Sequence, residues 1–205
     1  MFCGNVAGTV PRSLLSPPIV TFSEFVLLAL IHEKPRHGYE LETEIESRGL
    51  RNWSPLGHSL VYHTLGRLKR RKWATTKSTP GLRGRPAIQY RLSAAGRRVL
   101  TRALEQALVE GSLDPVRSEL AVLFSKDMPA SWFKDKIRKR KAKAQELKKT
   151  AKAEAKEALA AAKDIATAKG TMGAAKPTDF LYRYYDQILS ADIAWCDKVL
   201  KSTRR

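Results

Sequence analysis

Cysteine is nearly missing from this chain: Cys3 and Cys196 are the only two in 205 residues. That excludes a disulfide framework and a cysteine-rich zinc site, and it suits a reducing cytoplasm. Acidic residues are also scarce, 20 against 38 Lys and Arg, leaving a formal charge of +18 and a pI near 10.2. A field of that sign attracts polyanions. The apolar stretch Phe25 to Ile31 falls far short of the roughly 20 residues of a membrane span, so no transmembrane helix is expected. Walker loop, dinucleotide fingerprint and nucleophile elbow are all lacking, which argues against an enzyme and against a cofactor. The four histidines, His32, His37, His58 and His63, have no recognised ligand spacing with a second cluster, and His58 and His63, five apart, diverge on a helix. No metal is expected.

With 43% hydrophobic residues the chain can bury a core, and its length suits one domain with an appendage or two small domains. Residues 1–20 contain Gly4, Gly8, Pro11, Pro17 and Pro18 and no continuous apolar core of a signal peptide; they read as a mobile arm. Ser23 or Thr21 can cap a helix that is apolar all round from Phe25 to Ile31 and stops near Lys34-Pro35. A second helix opens at His37-Gly38-Tyr39, faces Leu41 and Ile45 inward and ends around Gly49. Trp53 and Pro55 fall in the connection.

From Ser59, the residues Val61, Leu65 and Leu68 share one helical face. The opposite face carries His58, Ser59, His63, Arg67, Arg70 and Arg71, a set suited to phosphates and base edges; a solvated helix face is the plain alternative. Trp73 to Ser78, and Ile88, Tyr90 and Leu92 at period two, read as two strands joined by the turn Pro80-Gly81-Leu82-Arg83-Gly84-Arg85-Pro86. On this pattern Ile88, Tyr90 and Leu92 point inward, while Arg83 and Arg85 sit at the tip, within reach of phosphate or the minor groove. Ser93 caps a further helix to about Glu110. A basic helix followed by a basic-tipped hairpin is the outline of a winged helix-turn-helix, and double-stranded DNA is the expected partner.

These residues resemble the PadR family of bacterial transcriptional regulators. The likeness runs from about Phe22 to Leu100 and rests on five blocks in order: Phe25-Val26-Leu27-Leu28-Ala29-Leu30, His37-Gly38-Tyr39-Glu40-Leu41, Val61 to Leu68, Gly84-Arg85-Pro86, and Tyr90-Arg91-Leu92-Ser93 with Gly96. Lys72 stands where the family usually has glycine, and His63 where a proline or small residue often follows the tyrosine. The resemblance implies a homodimer on a partly palindromic promoter site, most often a repressor, cytoplasmic and nucleoid-associated. Carried over by motif, Tyr62, Arg67, Lys69, Arg70 and Arg71 would contact DNA, as would Arg83 and Arg85. Tyr39 would touch a phosphate through its hydroxyl, or be core with that hydroxyl at the surface.

From Trp132 to Gly170 the chain is dominated by Ala, Lys and Glu, with thirteen Lys and Arg against five Asp and Glu, and a long helix is expected. Ile137, Ala144, Ala151, Ala158 and Ile165 recur every seven residues, a thin seam for packing against the last helix. That helix is expected to begin after Pro177 with Thr178 as cap, Gly170 to Lys176 forming the hinge, and to place Leu181, Tyr184, Ile188, Ala191, Trp195 and Val199 on one stripe. The expected class is mainly α: a mobile arm (1–20), a winged helix-turn-helix with a two-stranded wing (21–110), a connector (111–131) and an antiparallel helical domain (132–205), which with Ala194-Trp195 near its end resembles the C-terminal domain of the longer PadR subfamily, a resemblance that implies dimerisation there. Trp132, Phe133, Tyr184, Ile188 and Trp195 are candidates for dimer core, or for a pocket taking a small aromatic or cationic effector. The runner-up function is an architectural DNA-binding protein with little sequence preference, drawing on the basic run from Lys134 to Lys143.

Overall fold

The computed structural model describes residues 19–52, 56–80, 86–169 and 175–202, the side chains at 113, 161–169 and 175–178 excepted. The expected arm (but for its last two residues), Trp53, Pro55, Arg83, Arg85 and Gly170 of the hinge lie outside the described residues. The described chain is mainly helical with one small antiparallel sheet. It divides into two compact units: residues 19–107 with Glu119–Phe124, and Leu108–Ser118 with the described residues from Ser125 onward.

The first unit is built around α1 (Phe22–Glu33). Thr21 and Glu24 form a capping box at its start, which settles the cap in favour of Thr21. Phe25 to Ile31 are buried without exception, as a helix without a polar face must be. Leu41 and Ile45 of α2 (Gly38–Ser47) and Val61, Thr64, Leu65 and Leu68 of α3 (His58–Arg70) close on it. Phe124, at the end of α5 (Pro115–Phe124), meets Phe25 edge-on with ring centroids 6.4 Å apart. Between α1 and α2, Arg36 is almost fully buried. It donates to the Leu30 carbonyl and pairs with Glu33 and Glu44 at 3.1 Å each, while Arg48 reaches Glu33 at 2.8 Å and Glu44 at 2.6 Å.

The wing has three strands in the order β1-β3-β2, not two. β2 (Ala74–Pro80) pairs with β3 (Pro86–Leu92) from Ala74↔Leu92 to Pro80↔Pro86. The addition is β1 (Arg36–His37), which pairs with Tyr90 and Gln89. Two residues after a proline carry no periodicity, so the pattern gave no sign of it. Alternation along β3 also fails towards the turn: Leu92 is buried and Tyr90 half-buried, but Ile88 is 50% exposed. Ile88 lies opposite the exposed Ser78, beyond the two residues that β1 covers.

Helix α4 (Ala94–Glu110) starts on a Ser93 cap, whose hydroxyl oxygen accepts the Gly96 N–H at 2.9 Å. Leu100, Ala103, Leu104 and Ala107 are buried.

In the second unit, α6 (Ala130–Lys169) and α7 (Ala175–Ser202) run antiparallel, with Arg140 paired to Asp192, Lys141 to Asp197 and Lys148 to Asp186. Ile137 and Ala144 of the expected seam are buried, and Ala151 and Ala158 half-buried. Two expectations need correction. Helix α7 begins at Ala175, so Thr178 is not its cap, and Pro177 sits in the first turn where a missing N–H costs no intrahelical bond. The stripe of α7 that packs on Ala144 and Leu147 is Leu189 with Ile193, and Asp192 and Cys196 are buried beside it. This rotation goes with the three ion pairs and leaves Tyr184 and Ala191, both expected inside, exposed.

Candidate nucleic-acid interface

Burying Val61, Thr64, Leu65 and Leu68 turns the rest of α3 outward. His58, Ser59, Tyr62, His63, Lys69 and Arg70 are all exposed, as is Arg71 just beyond the helix end. Arg67 is different: only 27% of its side chain is exposed, and it lies against α1. There Glu24, 1% exposed, accepts from Arg71 Nη1 at 3.2 Å and lies 3.5 Å from Arg67 Nε, an ion-pair contact that leaves this buried nitrogen without a hydrogen bond, while Arg67 Nη2 donates to Thr21 Oγ1 at 3.4 Å. The Arg71 guanidinium also lies over the Trp73 ring, 4.8 Å from its centre. Nothing in the spacing of α1 marked Glu24 as the partner of two α3 arginines, because that pairing joins residues more than forty positions apart.

Both tyrosines carry their rings at the surface, Tyr39 at 56% and Tyr62 at 43% exposure. Tyr39 stacks on His37 at 5.5 Å, and Tyr62 tilts against His58 at 4.8 Å. The Tyr62 ring passes so close to Gly38 that a β-carbon there would stand 2.7 Å from it, which gives Gly38 a packing reason at the head of α2. Burial raises the Tyr90 phenol above its ordinary value, and Tyr62 adds to the rise. His58 Nδ1 lies 3.1 Å from Glu42, which Arg51 also grips. The N-terminal part of α3 is thus polar and aromatic, its C-terminal part cationic.

The junction from α3 to the wing is a Schellman closure. Trp73 N–H donates to the Leu68 carbonyl at 2.9 Å and Lys72 N–H to the Lys69 carbonyl at 3.0 Å. Lys72 takes the left-handed conformation, φ 58°, the only described residue other than glycine to do so. The Ser93 hydroxyl then donates to the Lys72 carbonyl at 2.7 Å and its N–H to the Trp73 carbonyl at 3.0 Å, tying the start of α4 to the start of the wing.

In the helical unit, Trp132 lies under Lys136 at 5.5 Å and Trp195 under Arg140 at 4.6 Å. Phe133 and Ile188 are half-buried, while Tyr184 is 58% exposed and tilts against Tyr185. Among the described residues there is no cluster of His, Cys, Asp and Glu able to hold a metal ion, and no helix long and apolar enough to cross a membrane.

Residues 27–102, from within α1 to within α4, match the transcriptional regulator PadR-like family. They form a PadR-like domain. Among solved structures the chain is similar to Bacillus subtilis PadR in complex with operator DNA, at 14% identity and a TM-score of 0.38 over 87% of this chain and 97% of that one. It is also similar to smu.1604c from Streptococcus mutans UA159, at 15% identity and a TM-score of 0.36 over 89% of this chain and 99% of that one. No curated protein sequence matches it.

The PadR-like domain thus holds α3, the wing and the Lys72 turn. Lys72 adopts the backbone conformation for which glycine at that place is the unstrained choice.

Proposed function

We propose that this chain is a sequence-specific DNA-binding regulator, a homodimeric repressor on a partly palindromic promoter site. One observation carries the reading: in a PadR-like domain, α3 and the residue that follows it expose His58, Ser59, Tyr62, His63, Lys69, Arg70 and Arg71 beside a β-hairpin. Helix α3 would enter the major groove, its polar N-terminal part against base edges and its cations against phosphates. Tyr39, itself exposed, would meet the backbone through its hydroxyl, and Arg67, Arg83 and Arg85 would complete the footprint. Two such helices must stand about 34 Å apart to enter successive major-groove faces, which gives dimerisation its purpose. The aromatic side chains that α7 leaves exposed, Phe180 and Tyr184, support the helical unit as the place of contact. Trp132 and Trp195, each covered by a cation of its own helical unit, fit a packed core better than an effector pocket. The protein would work in the cytoplasm, on the nucleoid.

A second reading has an observation of its own: Arg138, Lys139, Lys149, Lys152 and Lys156 are all exposed along α6, as an architectural protein with little sequence preference would require. Fluorescence anisotropy separates the two, using duplex from upstream of the protein's own gene and a scrambled duplex at several salt concentrations around 0.15 M. A preference of about a thousandfold supports the regulator, whereas near-equal affinities that collapse with salt support the architectural reading.

A further inference from the structure

The cations on and just beyond α3 fall into two classes. Lys69, Arg70 and Lys72 are exposed and have no carboxylate partner among the described residues. Arg67 and Arg71 share the single oxygen Glu24 Oε1, at 3.5 and 3.2 Å, and each has a further anchor: the Thr21 hydroxyl for Arg67, the Trp73 ring for Arg71. Glu24 cannot move away from them. Its other oxygen accepts the Thr21 N–H at 2.9 Å, its own N–H is capped by Thr21 Oγ1, and it is 1% exposed in the first turn of the central helix. One buried carboxylate therefore hydrogen-bonds the Arg71 guanidinium, stands within ion-pair reach of Arg67, whose buried Nε has no hydrogen-bond partner, and offsets part of the charge of both.

We propose that Glu24 is a positioning residue that sets the specificity of DNA binding, an inference that rests on the DNA-binding reading above. Attraction to any duplex scales with the cations free to meet phosphate, and each such contact steepens the salt dependence. Discrimination depends on donors held in one direction, since a preset side chain loses less freedom on binding. Glu24 works on both: it lowers the cationic charge offered to every sequence, and it presets Arg67 and Arg71 for the matching one. Its charge, placed behind the interface on α1, acts on DNA only through the two arginines.

Glu24→Gln is the informative variant, because glutamine also completes a capping box while the negative charge is lost. The measurement uses the full-length protein, with a duplex selected from a random pool by the wild type and its scrambled counterpart, titrated across salt concentrations. The expected result for E24Q is affinity for the scrambled duplex raised about three- to tenfold, its log–log salt slope steeper by about 1, and the ratio of selected to scrambled affinity reduced about tenfold. A second variant, Arg67→Lys, keeps the cation and discards the planar guanidinium that lies beside Glu24 and donates to Thr21; it is expected to lower the ratio with the scrambled salt slope unchanged. An unchanged ratio in either folded variant overturns the proposal, and so does a shallower scrambled slope in E24Q. If the wild type itself binds neither duplex, the DNA-binding reading fails first, and that outcome is distinct because it precedes any comparison of variants.

Discussion

Gly96 faces Trp73 so closely that a β-carbon on Gly96 would stand 2.0 Å from the Trp73 carbonyl oxygen. The obstacle is backbone, and Ser93 N–H already holds that same carbonyl at 3.0 Å, so neither side can retreat cheaply. Gly96→Ala is expected to destabilise the domain by about 2–4 kcal/mol, read from the urea unfolding midpoint, and to loosen the junction of α3 with the wing. A midpoint within error of the wild type would contradict the packing described.

Lys72 holds φ 58° at the Schellman closure. Lys72→Gly should raise stability by up to about 1 kcal/mol, less whatever glycine's greater freedom gives the unfolded chain. The same change removes an exposed cation beside α3, so DNA affinity should fall and its salt slope become shallower by about 1. Calorimetry and binding titrations on one variant would thus move in opposite directions. Loss of stability would show that the left-handed turn is not strained.

The acid limb of stability should involve Glu44. Burial opposes its charge, but the hydrogen bond and field of Arg36, joined by Arg48, prevail and hold its carboxyl below the usual carboxylate range. A group lowered in the folded state contributes fully at neutral pH, and loses that contribution as pH falls through the unfolded and then the folded value. Urea midpoints taken between pH 7 and pH 3 should therefore fall less steeply in Glu44→Gln than in the wild type. Parallel curves would remove Glu44 from the acid response.

Cys196 is buried on α7, and burial, then the Asp192 charge, pushes its thiol up to about 11. In a Cys3→Ser background, labelling with a thiol reagent at pH 7.5 should be slow in the folded protein and rapid in denaturant. Rapid labelling of the folded chain would show that the α6–α7 pair opens around it.

Phe180 and Tyr184, 67% and 58% exposed, lie one turn apart on α7. If the chain dimerises as proposed, replacing both with serine should shift it from dimer to monomer in sedimentation while leaving helicity unchanged, because neither belongs to the seam with α6. A dimer unaffected by both changes would place the contact elsewhere.

Local patterns identified the parts of the DNA-binding unit. Phe25 to Ile31, apolar on every side behind a capping residue, reads as a central helix, and Val61, Leu65 and Leu68 set which face of α3 turns outward, so the exposure of His58, Ser59, His63, Arg70 and Arg71 follows from spacing. The Pro/Gly turn and the capping serine at Ser93 fixed the hairpin and the next helix in the same way. Long-range pairings were decided by the tertiary structure. Strand β1, the hold of Glu24 on Arg67 and Arg71, and the rotation of α7 towards Leu189 and Cys196 each depend on a partner far away in the chain. Periodicity shows which side of an element is apolar; it carries no information about which residues of a distant helix that side will meet.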